Sequence, residues 1–145
     1  MGRLSNEALP AEPGTYLLWF VVQRALVLEV GRLGTVEFPL GAYAYSGSAL
    51  GPGGLRARLE RHLQAGPRRP HWHVDYLAAS CPPAAVHWTT GGQRLECRWA
   101  QCLHAHGASW AAAGFGSSDC RQGCGAHLLR LPAGWTILTI KDLLA

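Results

Sequence analysis

The chain has no uninterrupted apolar run near the roughly 18 residues that a spanning helix requires, which excludes an ordinary transmembrane segment. No positively charged start leads into an apolar signal core, so the expected location is cytoplasmic, with no membrane partner. Five cysteines are an odd number and exclude a complete internal disulfide framework. In a reducing compartment that leaves metal binding or plain burial for the thiols. No internal repeat or low-complexity tract marks a second domain. Residues 1–13, polar with two prolines, read as a loose lead-in to one domain over residues 14–145. A separate DNA-reading element such as a helix-turn-helix or a finger is also missing.

What is present suits a small globular domain. The 145 residues are 48% hydrophobic, enough for one core. A net charge of +4, with seven histidines besides, permits a nucleic-acid partner without demanding one.

The run TYLLWFVVQ, opened by Gly14, is apolar on both faces and reads as a strand buried on both sides. Short strands follow at Ala25–Val30, Thr35–Phe38 and Gly41–Tyr45, with links short enough for antiparallel hairpins. A glycine-rich turn, Gly47 to Gly54, runs into a basic helix whose Leu55, Leu59 and Leu63 form its apolar stripe. Such a turn aims backbone N–H groups at an anion. Arg58 and His62 lie together beside one edge of the stripe, facing the sheet surface that carries Tyr45, and Arg56 lies in solvent. An arginine and a histidine beside an anion site suit phosphate recognition. The plainer alternative is a surface arginine and a helix-flanking histidine.

Beyond the basic break GPRRP, the segment HWHVDYLAAS reads as a strand or a short helix. A strand would align His71, His73 and Asp75 on one face. A helix would pack Trp72 and Tyr76, with Asp75 as a cap or ion-pair partner, and this is the expected form. Ala85–Thr89 is a further strand. Leu95, Trp99, Cys102 and His106 mark a second helix, with Glu96 in its first turn, where the helix dipole favours a carboxylate. Residues 107–125 read as a structured loop. Leu128–Leu131 and Trp135–Ile140 read as a closing hairpin.

The order Gly14-Thr15-Tyr16, Tyr45-Ser46-Gly47, Arg58 with His62, then Glu96 resembles the GIY-YIG nuclease superfamily. The strings YSGSALGPGGLRARLERHL and HWHVDYL look closest to an uncharacterised branch of it, from Gly14 to about Leu131. The resemblance implies an α+β fold, a small antiparallel, mixed-edge sheet flanked by helices, with an extra hairpin between the two tyrosine motifs. It implies a metal-dependent endonuclease, a phosphodiester hydrolase acting on DNA, with RNA left open as the alternative substrate. Without a DNA-reading element, cleavage would be guided by substrate structure or by a partner. Glu96 would hold Mg²⁺ or Mn²⁺ and Arg58 would stabilise the phosphate. Tyr16 would be the general base, its proton affinity lowered by the metal and Arg58. Tyr45 would order water or phosphate, and His62 would assist proton transfer or bind phosphate. Thr15 and Ser46 stand where the family carries aliphatic residues, and the reading requires the two tyrosine strands to be neighbours despite the inserted hairpin.

Further nucleic-acid contacts are expected at Gly47, Ser48, Arg68, Arg69, His71 and His73. Cys120, Cys124 and His127 are spaced as zinc ligands within one tight loop. Cys97 and Cys102 point roughly 140° apart on their helix, so one face cannot offer both; buried free thiols are the plainer reading. Two other functions compete: an inactive nucleic-acid-binding module on the same scaffold, and a zinc-stabilised interaction protein.

Overall fold

A computed structural model describes residues 8–64, 69–116, 120 and 123–145. The first strand, β1 (Gly14–Val22), pairs along its whole length with a later one, β4 (Gly41–Ala49), antiparallel. Between them a hairpin, β2 (Leu26–Glu29) and β3 (Thr35–Phe38), turns through a 3₁₀ segment at Gly31–Leu33 and forms a two-stranded sheet of its own. Short links therefore do not make every consecutive pair a hairpin: β1 has β4 and β5 (Ala85–Thr90) as neighbours, not β2. With β7 (Leu128–Arg130) and β6 (Ser109–Trp110), the main sheet has the order β5-β1-β4-β7-β6 and is antiparallel at both edges. The architecture is α+β.

The doubly apolar pattern of β1 follows from cover on both faces. Alternate side chains point to opposite sides of a strand. Tyr16, Leu18, Phe20 and Val22 join a core shared with α1 (Gly54–Leu63), α2 (His73–Ser80) and the β2–β3 hairpin. Leu17 joins a second core, under α3 (Glu96–Ala105) and α4 (Ile137–Leu144). As expected, HWHVDYLAAS is helical from His73, with Asp75 closing its first turn: the carboxylate accepts from the backbone N–H groups of His71 and Trp72.

The expected closing hairpin does not form. Its first half is β7, but Trp135–Ile140 leads into α4. The β-branched threonines and isoleucines there favour a strand locally. A reciprocal cap decides otherwise: the Thr136 hydroxyl accepts from Thr139 N–H, and Thr136 N–H donates to the Thr139 hydroxyl. The helix so started lays Ile137 and Ile140 against the second core.

Ile140 is fully buried. Truncating it to alanine removes apolar contact and leaves a cavity, so Ile140→Ala should lower unfolding stability by roughly 2–5 kcal/mol. Urea denaturation would measure this; an unchanged midpoint would mean that α4 does not anchor the second core.

Candidate functional site

The site opens where β7 parts from β4. The two strands pair only from Tyr43 to Tyr45, and beyond that Ser46, Gly47 and Ser48 line a cleft of about 450 Å³. Arg58 of α1 and Glu96 of α3 face the same cleft, as does Tyr45. Residues from three separated stretches thus meet at one strand edge.

Tyr16 sits just behind this wall. Its direct partner across the ladder is Gly47, and a Cβ on Gly47 would lie 2.5 Å from the Tyr16 hydroxyl. Only glycine leaves room for that hydroxyl beneath the strand. The Tyr16 and Tyr45 rings are 6.4 Å apart, so the two tyrosine strands are neighbours and their tyrosines share a face. Tyr16 Oη lies 2.9 Å from Nε2 of the fully buried His62, and His62 Nδ1 faces Asp75 Oδ1 at 3.7 Å. Asp75 is held on its other oxygen by Arg61 at 2.8 Å. Tyrosine, histidine and aspartate therefore form one buried row behind the cleft, ended by the partly exposed Arg61.

Electrostatics correct one expectation. Burial pushes the Tyr16 hydroxyl up to about 12 and outweighs the lowering pull of the Arg58 guanidinium beside it. Tyr45 is likewise raised by burial, with Tyr16 adding to it. Arg58 alone therefore does not lower the proton affinity of Tyr16. Burial also pushes Asp75 up, but the N–H groups of Trp72 and His71 and the Arg61 guanidinium overcome it and hold the carboxyl below its usual range.

Arg58 lies in the cleft as its spacing implies. Its Nη1 donates to Ser48 O at 2.9 Å, and its guanidinium stacks 4.1 Å from the centre of the Trp72 ring. The glycine-rich turn does something other than expected. The first N–H groups of α1 are satisfied within the chain: Leu55 N donates to Glu12 O and Arg56 N to Pro10 O, with Gly54 and Ala57 bonded back into the turn. That helix end is closed to an anion, and the cationic groups that line the cleft are Arg58 and Arg94.

Glu96 is anchored by the two residues that stand where aliphatics were anticipated. Thr15 and Ser46 point to the α3 side of the sheet. Thr15 Oγ1 accepts from Leu95 N at 3.2 Å. The Ser46 hydroxyl donates to Glu96 O at 2.9 Å. Both hydroxyls fasten the start of α3, which explains their presence in a buried layer. Glu96 Oε1 meets Arg94 at 3.7 Å, while Oε2 is buried with no hydrogen-bond partner among the described residues.

Of the remaining anticipated contacts, Gly47 and Ser48 line the cleft, and His71 and His73 do not. The helical form of α2 separates His71, His73 and Asp75; His73 Nδ1 instead accepts from Gly116 N. Arg69 is exposed. Arg68 lies outside the described residues.

On the cleft's far wall, Cys97, Cys120, Cys124 and His127 bring their ligand atoms within 4.8 Å of one another. This Cys₃His cluster could hold a metal such as zinc. Cys120, Cys124 and His127 were legible from spacing, but the fourth member was not. Cys97 and Cys102 do diverge on α3; Cys97 turns into the cluster, whereas Cys102 donates to Leu143 O. The signal that could have found Cys97 is its place directly after Glu96, at a helix start already committed to the site.

A model of a protein family described as a domain of unknown function, DUF123, matches residues 15–143, and the chain belongs to that family. No curated protein and no solved structure matches it.

The Asp75 carboxyl gives a pH signature. Its folded value lies below the ordinary 3.8, so its contribution is complete above the unfolded value and is lost as pH falls through the depressed folded one. Asp75→Asn should be less stable than wild type near neutrality, with a shallower loss below about pH 4. Urea midpoints taken down the acid limb would test this, and parallel limbs in the two proteins would refute it.

Proposed function

We propose that this chain is a divalent-metal-dependent endonuclease of the GIY-YIG type that hydrolyses phosphodiester bonds in DNA, guided by substrate structure or by a partner. One observation carries the reading. Tyr45, Arg58 and Glu96 converge on a single cleft, with Tyr16 and His62 hydrogen-bonded directly behind it.

The residues fit a hard, hydrated cation. The buried, partnerless Oε2 of Glu96 and the similarly placed hydroxyl of Ser48 line the cleft and are suited to water or metal. Glu96 would hold Mg²⁺ or Mn²⁺, a single protein carboxylate being typical of magnesium. Such a cation supplies Lewis-acid polarisation of a phosphoryl oxygen.

The chain's own groups do the rest. Arg58 neutralises the phosphate as its charge grows in the transition state. Its shift from Ser48 O onto a phosphate uncovers Tyr16. Tyr16 then takes a proton from the attacking water while handing its own to His62 Nε2. The water proton ends on the phenol oxygen and the phenol proton on the imidazole, whose new charge faces Asp75. This relay avoids a free tyrosinate, which matters because burial holds the hydroxyl at about 12. Tyr45, on the cleft wall, orients the water or the phosphate. The leaving oxygen takes its proton from solvent in the cleft.

Incubation with plasmid, single-stranded and branched DNA should give cutting that requires Mg²⁺ or Mn²⁺ and stops with chelator. Glu96→Gln and Arg58→Ala should each lower the rate by about 10²-fold or more while melting like the wild type. Binding without cutting by the wild type across the panel would assign the cleft to a nucleic-acid-binding module instead.

A further inference from the structure

We propose that Cys97, Cys120, Cys124 and His127 bind a structural zinc ion that ties the loop between β6 and β7 to the start of α3 and so builds one wall of the cleft. The assignment does not rest on the nuclease reading. Three independent pieces of chain supply the ligands. Cys97 comes from the first turn of α3, Cys120 and Cys124 from the loop, and His127 from the residue before β7.

The separations suit a tetrahedral ion. Cys97 Sγ lies 3.4 Å from both Cys120 Sγ and His127 Nε2. Zinc with Zn–S of about 2.3 Å and Zn–N of about 2.0 Å holds such ligand atoms roughly 3.5–3.8 Å apart. The sulfurs are too distant for a disulfide, whose S–S length is about 2.05 Å, and all five cysteines are free. Ligand chemistry points the same way, since thiolates with one imidazole select zinc over hard cations. Four protein ligands leave no open position, which marks a structural site rather than a catalytic one.

The surroundings are those of a supported site. The His127 ring turns Nε2 to Cys97, and the residue is held by its backbone, His127 N donating to Phe115 O. Gln101 Nε2 of α3 donates to Cys124 Sγ at 3.5 Å. Gly116, at φ +73°, packs against Tyr45 so closely that a Cβ would lie 2.7 Å from the ring. Ser46 N donates to His127 O, while its hydroxyl holds Glu96 O. Cys97 follows Glu96 directly. Zinc would thus fix Glu96 from one side as Ser46 fixes it from the other.

The test is direct loading of the reduced, folded chain with metal. Cobalt(II) titration should saturate at about one ion per chain, give the visible bands of tetrahedral thiolate coordination, and be displaced by zinc. Cys124→Ser should lose at least about 10-fold in metal affinity, and Cys102→Ser, outside the cluster, should bind as wild type. Zinc removal from the wild-type chain should lower its melting midpoint and speed amide exchange across the β6–β7 loop. These readouts need no cleavage, so they stand or fall separately from the nuclease assay. A folded, reduced wild-type chain that gives no tetrahedral cobalt spectrum would overturn the proposal. So would a Cys102→Ser variant that loses metal as fully as Cys124→Ser.

Discussion

The antiparallel pairing of β1 with β4 is the constraint on which the rest depends. It runs through all nine residues of each strand and sets Tyr16 opposite Gly47 in the ladder. Because side chains alternate, a one-residue slip of either strand would send its tyrosine to the α3 face and bring its hydroxyl residue into the apolar core. The register therefore performs two sorting tasks at once. It places both phenols on the face covered by α1, where His62 and Arg58 wait. It also places two hydroxyls on the opposite face, where they bond the backbone leading into Glu96. The cleft lies at the strand edge because only there can groups from both faces of the sheet meet.

Behind that edge, the buried polar row from Tyr16 to Asp75 is a concentrated electrostatic commitment. Burial alone disfavours charge on Tyr16 and on Asp75, and the sign of each of those two shifts shows what answers burial. At Tyr16 nothing does so sufficiently, and the hydroxyl stays protonated. At Asp75 two backbone N–H groups and a guanidinium do, and the carboxyl is held ionised. In the proposed reaction, a protonated phenol and a fixed carboxylate on either side of one imidazole would direct the proton from Tyr16 toward Asp75. A buried polar network of this kind carries a desolvation cost that an apolar core would not, so its presence in a 145-residue chain is an argument for use rather than for stability.

Much of this was legible in the sequence, for reasons that can be named. Leucines at helical spacing gave α1 and with it the placement of Arg58 and His62, because an isolated amphipathic stripe fixes which residues face the sheet. The two-sided apolar run of β1 was legible for the same reason. What escaped was set by contacts between distant segments. Thr15 and Ser46 look like departures from an aliphatic pattern until the start of α3 lies beside them. The glycine-rich turn looks like an anion cradle until residues 10 and 12 come to occupy its N–H groups. Trp135–Ile140 has strand composition, and a single threonine cap redirects it. Cys97 shares no short motif with the loop cysteines, and only the fold closes the distance of 23 residues to Cys120.

Glu96 and Cys97 are adjacent in sequence, yet the two proposals assign them to opposite kinds of ion. A carboxylate oxygen suits a hard cation; a thiolate with two more thiolates and an imidazole suits a soft one. Successive residues in the first turn of a helix point about 100° apart, so one turn can serve two metals without sharing a ligand. The arrangement also separates their duties. A four-ligand sulfur site has no open position and leaves its wall rigid, while a single carboxylate leaves most of a cation's shell to water and substrate. If both proposals hold, the soft metal would position the ligand of the hard one through one peptide bond. The cleft's geometry would then depend on thiol chemistry even though no thiol takes part in the reaction.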